Sequence, residues 1–214
     1  MKIKPVLCLI ALLAVLPSVP AHAQDDAPKA DHVVWPPPGS TLTMNFKLSG
    51  SLGSGTREVT IQWLGEVDWD GKRVMGLQVG APGSYYYYDA QRRLLAQVRD
   101  GKPVVTFRPY ETLYDWPLFV GKSWLTEFQE IYHDRNQTLE EKLVYTVEAF
   151  EEITIPAGTF KTLRVRFATP QQHYVVWYEP KLGMEIKRDW ERSAAHPFGV
   201  GTHQMEAISY TIKK

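Results

Sequence analysis

The sequence predicts an all-β protein: an antiparallel meander forming a curved sheet or an open barrel. Three observations carry that prediction. Apolar residues alternate with polar ones at period two in one segment after another. Asp-Gly pairs, which suit the positive-φ positions of two-residue hairpin turns, lie between such segments at Asp70-Gly71 and Asp100-Gly101. No long apolar stripe at helical spacing carries caps at both ends.

The chain begins with a segment that predicts export. Lys2 and Lys4 precede an apolar run from Val6 to Leu16, and Ala21-His22-Ala23 forms a small-x-small cleavage site. The run is too short for a membrane span, and Pro17 and Pro20 interrupt it. Leu7 precedes Cys8 and most of the apolar run follows it, so the cysteine does not sit in a lipidation motif. The short, lysine-led signal has a bacterial character. Cleavage near Ala23 is expected to release a chain starting at Gln24 into the periplasm or the exterior, with no transmembrane anchor.

Cleavage also changes the composition. The full chain has 24 basic and 24 acidic side chains in 214 residues and a single cysteine. Residues 1–23 remove two lysines, the cysteine and no acid. The expected product therefore has a slight acidic excess and no thiol. That excludes a disulfide scaffold, a thiolate metal site and a cysteine nucleophile. Nothing in the charge balance supports a nucleic-acid partner.

Residues 24–39 read as an extended leader, because Trp35 is followed by Pro36-Pro37-Pro38-Gly39. Residues 40–214 are expected to form a single β domain. Leu42, Met44, Phe46 and Leu48 alternate with Thr41, Thr43, Asn45 and Lys47. Val59, Ile61 and Trp63 repeat the pattern, as do Leu163, Val165 and Phe167 with arginines between them. Leu182, Met184 and Ile186 follow, then Ile208, Tyr210 and Ile212. Leu139–Phe150 is glutamate-rich, but Leu143, Tyr145, Val147 and Ala149 recur at period two. Pro156-Ala157-Gly158 predicts a slightly longer turn.

A weak internal repeat runs beneath this pattern. Tyr85–Asp89 and its downstream strand resemble Tyr174–Glu179 and the strand that follows. Two similar halves, 40–107 and 122–214, would build one sheet. Between them lies Arg108–Trp124, which is apolar, has no clean period and contains two prolines. Such a segment has to pack on something, most simply across an open face or end of the sheet.

Motifs for chemistry are scarce. Gly50–Gly55 lacks the spacing of a nucleophile elbow, and no helix follows it. His196 and His203 flank a loop without a fixed carboxylate beside them, so no metal is expected. The pairs Glu140-Glu141 and Glu151-Glu152 read as solvated charge, because neighbours on a strand face opposite ways. No catalytic residue and no cofactor follow from these patterns.

The aromatic residues are more informative. Tyr85–Tyr88 and Tyr174–Tyr178 have more apolar faces than a one-sided sheet needs. The Arg108–Trp124 segment, a ligand or a partner protein would cover the surplus. If a ligand is the answer, its site is expected where that segment meets the two strands. The candidates are Tyr86, Tyr88, Arg108, Tyr110, Tyr114, Trp116, Phe119, Tyr174, Trp177 and Tyr178.

Ile155-Pro156-Ala157-Gly158-Thr159-Phe160 and Trp177-Tyr178-Glu179-Pro180-Lys181-Leu182-Gly183-Met184 resemble the tail of a family of bacterial exported β-proteins. Pro117–Trp124 fits the same pattern, so the resemblance covers about Pro117 to Trp190. The family is a domain of unknown function whose members are often labelled TapB-like. The resemblance implies an antiparallel β fold in an exported protein and supplies no catalytic residues. A looser likeness is to periplasmic half-barrel lipoprotein carriers, whose mouth-closing helices have no counterpart in this sequence. The preferred expectation is a non-enzymatic binding or scaffold protein of the envelope, for a lipid-like or other apolar ligand or an envelope protein. An envelope hydrolase with an unrecognised site and a purely structural module are the alternatives.

Overall fold

The computed structural model describes residues 29–214. The predicted signal and the first residues of the leader lie outside them. The described residues form twelve strands and no helix. In chain order these are β1 (Thr41–Gly50), β2 (Gly55–Trp69), β3 (Lys72–Val79), β4 (Ser84–Tyr88), β5 (Leu94–Arg99) and β6 (Lys102–Glu111). Then come β7 (Ser123–Tyr132), β8 (Gln137–Ile155), β9 (Gly158–Ala168), β10 (Gln172–Glu179), β11 (Met184–Arg192) and β12 (Gly201–Thr211). Each strand pairs antiparallel with the next, and β1 pairs with β12, so the meander closes into a barrel. Closure satisfies every sheet edge.

The hairpins follow the turn chemistry. Asp70 and Gly71 both have positive φ, at 48° and 70°, and so do Asp100 and Gly101, at 50° and 76°. Trp69 then faces Lys72, and Arg99 faces Lys102. At Pro156 the turn is tighter than the sequence suggests: Ile155 pairs directly with Gly158. Leu139–Phe150 belongs to the 19-residue β8, in keeping with its period-two core.

Alternation sets the two faces of the wall. Leu42, Met44, Phe46 and Leu48 are buried, whereas Asn45 and Lys47 between them are exposed. Facing hydroxyls link strands on the outer side, as at Thr43–Thr60 (3.1 Å), Ser49–Thr202 (2.7 Å) and Ser123–Thr146 (2.8 Å). An apolar inside and a hydroxyl- and charge-bearing outside are the reverse of a lipid-spanning barrel. The inner side chains form two clusters. One is built from β5–β10 around Phe107, Tyr145 and Val176; the other centres on β1–β3, β11 and β12 around Met44, Trp63 and Ile186.

Irregular chain covers both ends. Residues 112–122 cross one end, where Leu113, Tyr114 and Leu118 are buried. The leader joins them: Ala30 and Leu118 exchange two backbone hydrogen bonds, at 2.9 and 2.8 Å. A Cβ on Gly65 would lie 2.7 Å from the Pro38 ring, and a Cβ on Gly183 would collide with the Val34 carbonyl. Glycine at these two positions is what lets the leader lie so close. At the opposite end, Phe198 of the β11–β12 loop packs edge-on against Tyr132 of β7, with 4.8 Å between ring centroids. In barrel order β7 stands four strands from β11, so this loop reaches across the mouth.

Candidate functional site

Between these ends the lumen is not filled. Two cavities, of about 150 and 70 Å³, lie side by side. They share Tyr86, Tyr88, Arg188 and His203 as common walls. The larger is lined by Leu94, Phe107, Phe128, Leu143, Phe167 and Tyr174, with Glu111, Glu130 and Glu141 among them. The smaller is lined by Leu42, Phe46, Trp63, Leu77 and Met205, with Arg92, Glu185 and Arg188.

A backbone irregularity delivers the charges. The β10–β11 register shifts between Trp177 and Tyr178, which face Lys187 and Glu185. The extra residue reverses the alternation, so Glu185 and Arg188 both point inward and form an ion pair. Tyr114 donates a further hydrogen bond to Glu185 at 2.8 Å. Burial acts to raise the pKa of Glu185, but Arg188 and Arg92 outweigh it and hold the carboxylate below its usual value. The Arg188 side chain retains 23% of its surface and lines both cavities.

Arg92 sits at the covered end in a box of aromatic rings. Its guanidinium lies 5.1 Å from the Trp35 ring, 5.3 Å from Tyr178 and 5.7 Å from Tyr114, and it donates to the Gly183 carbonyl at 2.7 Å.

The larger cavity holds carboxyls that burial disfavours as anions. Desolvation pushes Glu111 up to about 8, although a 2.6 Å hydrogen bond from Tyr145 opposes it. Glu130 is pushed up to about 7 by the same cause. Burial also raises Glu141, which accepts a hydrogen bond from Gln172 at 3.4 Å. His203 is held down at about 4 by burial, with the charges of Arg188 and Arg57 adding to the effect.

The candidate residues divide between three places. Tyr86, Tyr88 and Tyr174 line the lumen. Tyr114, Trp116 and Tyr178 meet at the covered end, with centroids 4.8 Å apart for Tyr114–Tyr178 and 5.8 Å for Trp116–Tyr178. They form packed cover there and line neither cavity. The other four are brought to neither place. Arg108 and Phe119 are exposed, and Tyr110 carries the Arg93 guanidinium at 3.9 Å. Trp177 lies on the outer face, donating to Glu151 at 2.8 Å within a network that includes Arg164 and Glu148. Tyr85 and Tyr87 also face outward, stacked with Trp69.

The sequence reading missed Glu185, Arg188, Arg92, Glu111, Glu130 and Trp63. It also placed Glu141 on a solvated face. Glu140 does face outward, toward Gln129, but Glu141 turns into the lumen. Glu141 alternates with Leu143 and Tyr145, and that phase was the available signal. Among the described residues no cluster of three or more His, Cys, Asp or Glu could hold a metal ion.

No family model matches the chain, and no curated protein matches it. Two solved structures are similar to it. One is a candidate lipoprotein from Parabacteroides distasonis, 11% identical, covering 87% of this chain and 100% of its own, with a TM-score of 0.40. The other is a candidate exported protein with a YmcC-like fold from Bacteroides fragilis, also 11% identical, covering 85% and 99% with a TM-score of 0.37. Likeness at this level transfers no residue role.

Proposed function

We propose that this is an exported binding protein of the bacterial cell envelope, and that its barrel lumen is the binding site for a small, mainly apolar molecule. The observation that carries this reading is the pair of adjoining cavities walled by aliphatic and aromatic side chains, with a few fixed polar groups between them. The larger cavity, about 150 Å³, is of a size that takes one benzene-sized apolar group. The predicted signal segment supports export, and the resemblance of Ile155–Phe160 and Trp177–Met184 to the TapB-like family, which no family model shows, fits the same compartment.

Native mass spectrometry of the protein purified from its own periplasm tests the reading. A small molecule that stays bound and leaves on unfolding is the expected result. A protein partner and no small molecule would favour a scaffold instead. N-terminal sequencing of the same sample should begin at Gln24, and a start at Met1 or an acylated Cys8 would overturn export.

One observation favours a hydrolase as a second reading. Glu111 and Glu130 line one cavity, with pKa values near neutrality, as acid–base catalysts require. Turnover of ester or glycoside substrates that Glu111→Gln abolishes would establish it.

A further inference from the structure

The smaller cavity has a chemical preference of its own. Among the described residues, six buried side-chain polar atoms have no hydrogen-bond partner in the protein. Three of them, Trp63 Nε1, Arg188 Nε and His203 Nε2, belong to side chains lining this cavity, Arg188 and His203 standing at its boundary with the larger one. Trp63 is only 2% exposed, so bulk water does not satisfy its indole N–H. A buried polar atom without a partner is rare in a native protein, and the two donors here, on Trp63 and Arg188, with a histidine nitrogen that donates in one tautomer, are hydrogen-bonding capacity the protein leaves unused beside the cavity.

We propose that this cavity receives the anionic oxygen head, a carboxylate or a comparable monoanion, of an amphipathic small molecule whose apolar end occupies the larger cavity. The inference rests on the lumen reading above and gives it a direction.

Three features of the site carry it. Trp63 Nε1 and Arg188 Nε can only donate, so any group that partners them must accept. Arg92 and Arg188 line the cavity opposite the single carboxylate of Glu185, which leaves one positive charge in excess. That excess selects an anion over a neutral carbonyl and repels an ammonium. His203 is neutral, and its unpartnered Nε2 donates in one tautomer, supplying a third hydrogen bond without a further charge.

The route to the apolar end is short. Tyr86, Tyr88, Arg188 and His203 are walls of both cavities, so a head beside Arg188 leaves its tail facing Leu94, Phe107 and Leu143. The larger cavity adds no cation besides Arg188 and holds carboxyls instead, whereas Arg92 lines the smaller one, which fixes the orientation.

Calorimetric titration of the full exported chain with hexanoate, 1-hexanol and hexylammonium tests the proposal. Hexanoate is expected to bind at least tenfold more tightly than hexanol, and hexylammonium more weakly than either. Trp63→Phe, which removes the indole donor, should bring the acid-to-alcohol ratio close to one. Arg188→Lys, which keeps the charge and removes Nε, gives the same readout where Trp63→Phe melts too early to measure. Equal binding of acid and alcohol by the wild type overturns the anion site but leaves the lumen reading standing. Preference for hexylammonium overturns it in favour of the carboxyl-lined cavity. An unchanged ratio in the variants refutes the assigned donors. If none of the three binds, both readings fail.

Discussion

Arg188 pairs with Glu185, three residues earlier on the same strand, although strict alternation would put the two on opposite faces. The bulge opposite Trp177–Tyr178 resolves the conflict by turning both side chains into the barrel. The pair is thus paid for by an irregularity in the ladder, and its position between the two cavities gives the lumen its fixed charges.

Removing one partner should be worse than removing both. Glu185→Ala leaves Arg188 uncompensated inside the barrel, a loss of about 3–5 kcal/mol, or roughly 6–20 °C in Tm for a domain of this size. The pair Glu185→Leu with Arg188→Met should lose clearly less than the two single changes added together. Strict additivity in a thermal double-mutant cycle would mean the two groups do not interact.

Stability should fall as pH rises from about 6.5 to 8. Glu111 and Glu130 titrate near 8 and 7 in the fold against 4.5 ordinarily, so the native state holds more protons than the unfolded chain across that interval. Raising pH therefore favours unfolding. His203 and His196 act oppositely: both are lowered by burial from 6.5 to about 4, so their contribution rises with pH between those values and is complete above 6.5. Above 6.5 the carboxyls act alone, with a slope on the order of 1 kcal/mol per pH unit, or roughly 2–4 °C. Glu111→Gln should flatten the upper part of this slope. A Tm that stays level from pH 6.5 to 8 in the wild type would contradict the assignment.

Much of the fold was legible, and the site mostly was not, for one physical reason. Period-two alternation and Asp-Gly turns are local, so strands such as β1 and hairpins such as β2–β3 can be read directly. The phase of a strand after a bulge depends on its neighbour. Glu185 stands between Met184 and Ile186, both buried, and therefore reads as outward. Closure through β1 and β12 joins residues more than 150 positions apart, beyond the reach of any local pattern. The greasy Arg108–Trp124 segment did announce that it packs, and residues 112–122 do cover one end. Which of its aromatics would reach an open space was not written in its composition.

The leader should depend on Gly183 in a way that an ordinary turn glycine does not show. Gly183 has φ 67° and lies under the Val34 carbonyl, whereas Gly71 has φ 70° and open space around its Cα. Gly71→Ala should carry only the conformational cost, about 1 kcal/mol. Gly183→Ala adds the collision with the leader, so it should cost more and make residues near Val34 easier to cleave with protease. Equal effects of the two changes would show that the leader contact contributes nothing.

Covering the barrel and holding a ligand should prove separable. Trp116 is half-buried at the covered end, where it touches Tyr114 and Tyr178 and reaches the Gln91 carbonyl at 3.4 Å. Because it lines neither cavity, Trp116→Ala should lower stability by about 1–3 kcal/mol, less than a fully buried tryptophan, and leave retention of the co-purifying molecule unchanged. Leu143 is 2% exposed and lines the larger cavity. Leu143→Trp places an indole in that space, at an overpacking cost of about 1–3 kcal/mol, and should abolish retention. The two variants would then have comparable melting temperatures and opposite behaviour toward the ligand. Melting and native mass spectrometry on the same two preparations decide the matter. Loss of the molecule from Trp116→Ala with retention in Leu143→Trp would move the site out of the lumen to the junction of residues 112–122 with the strand ends.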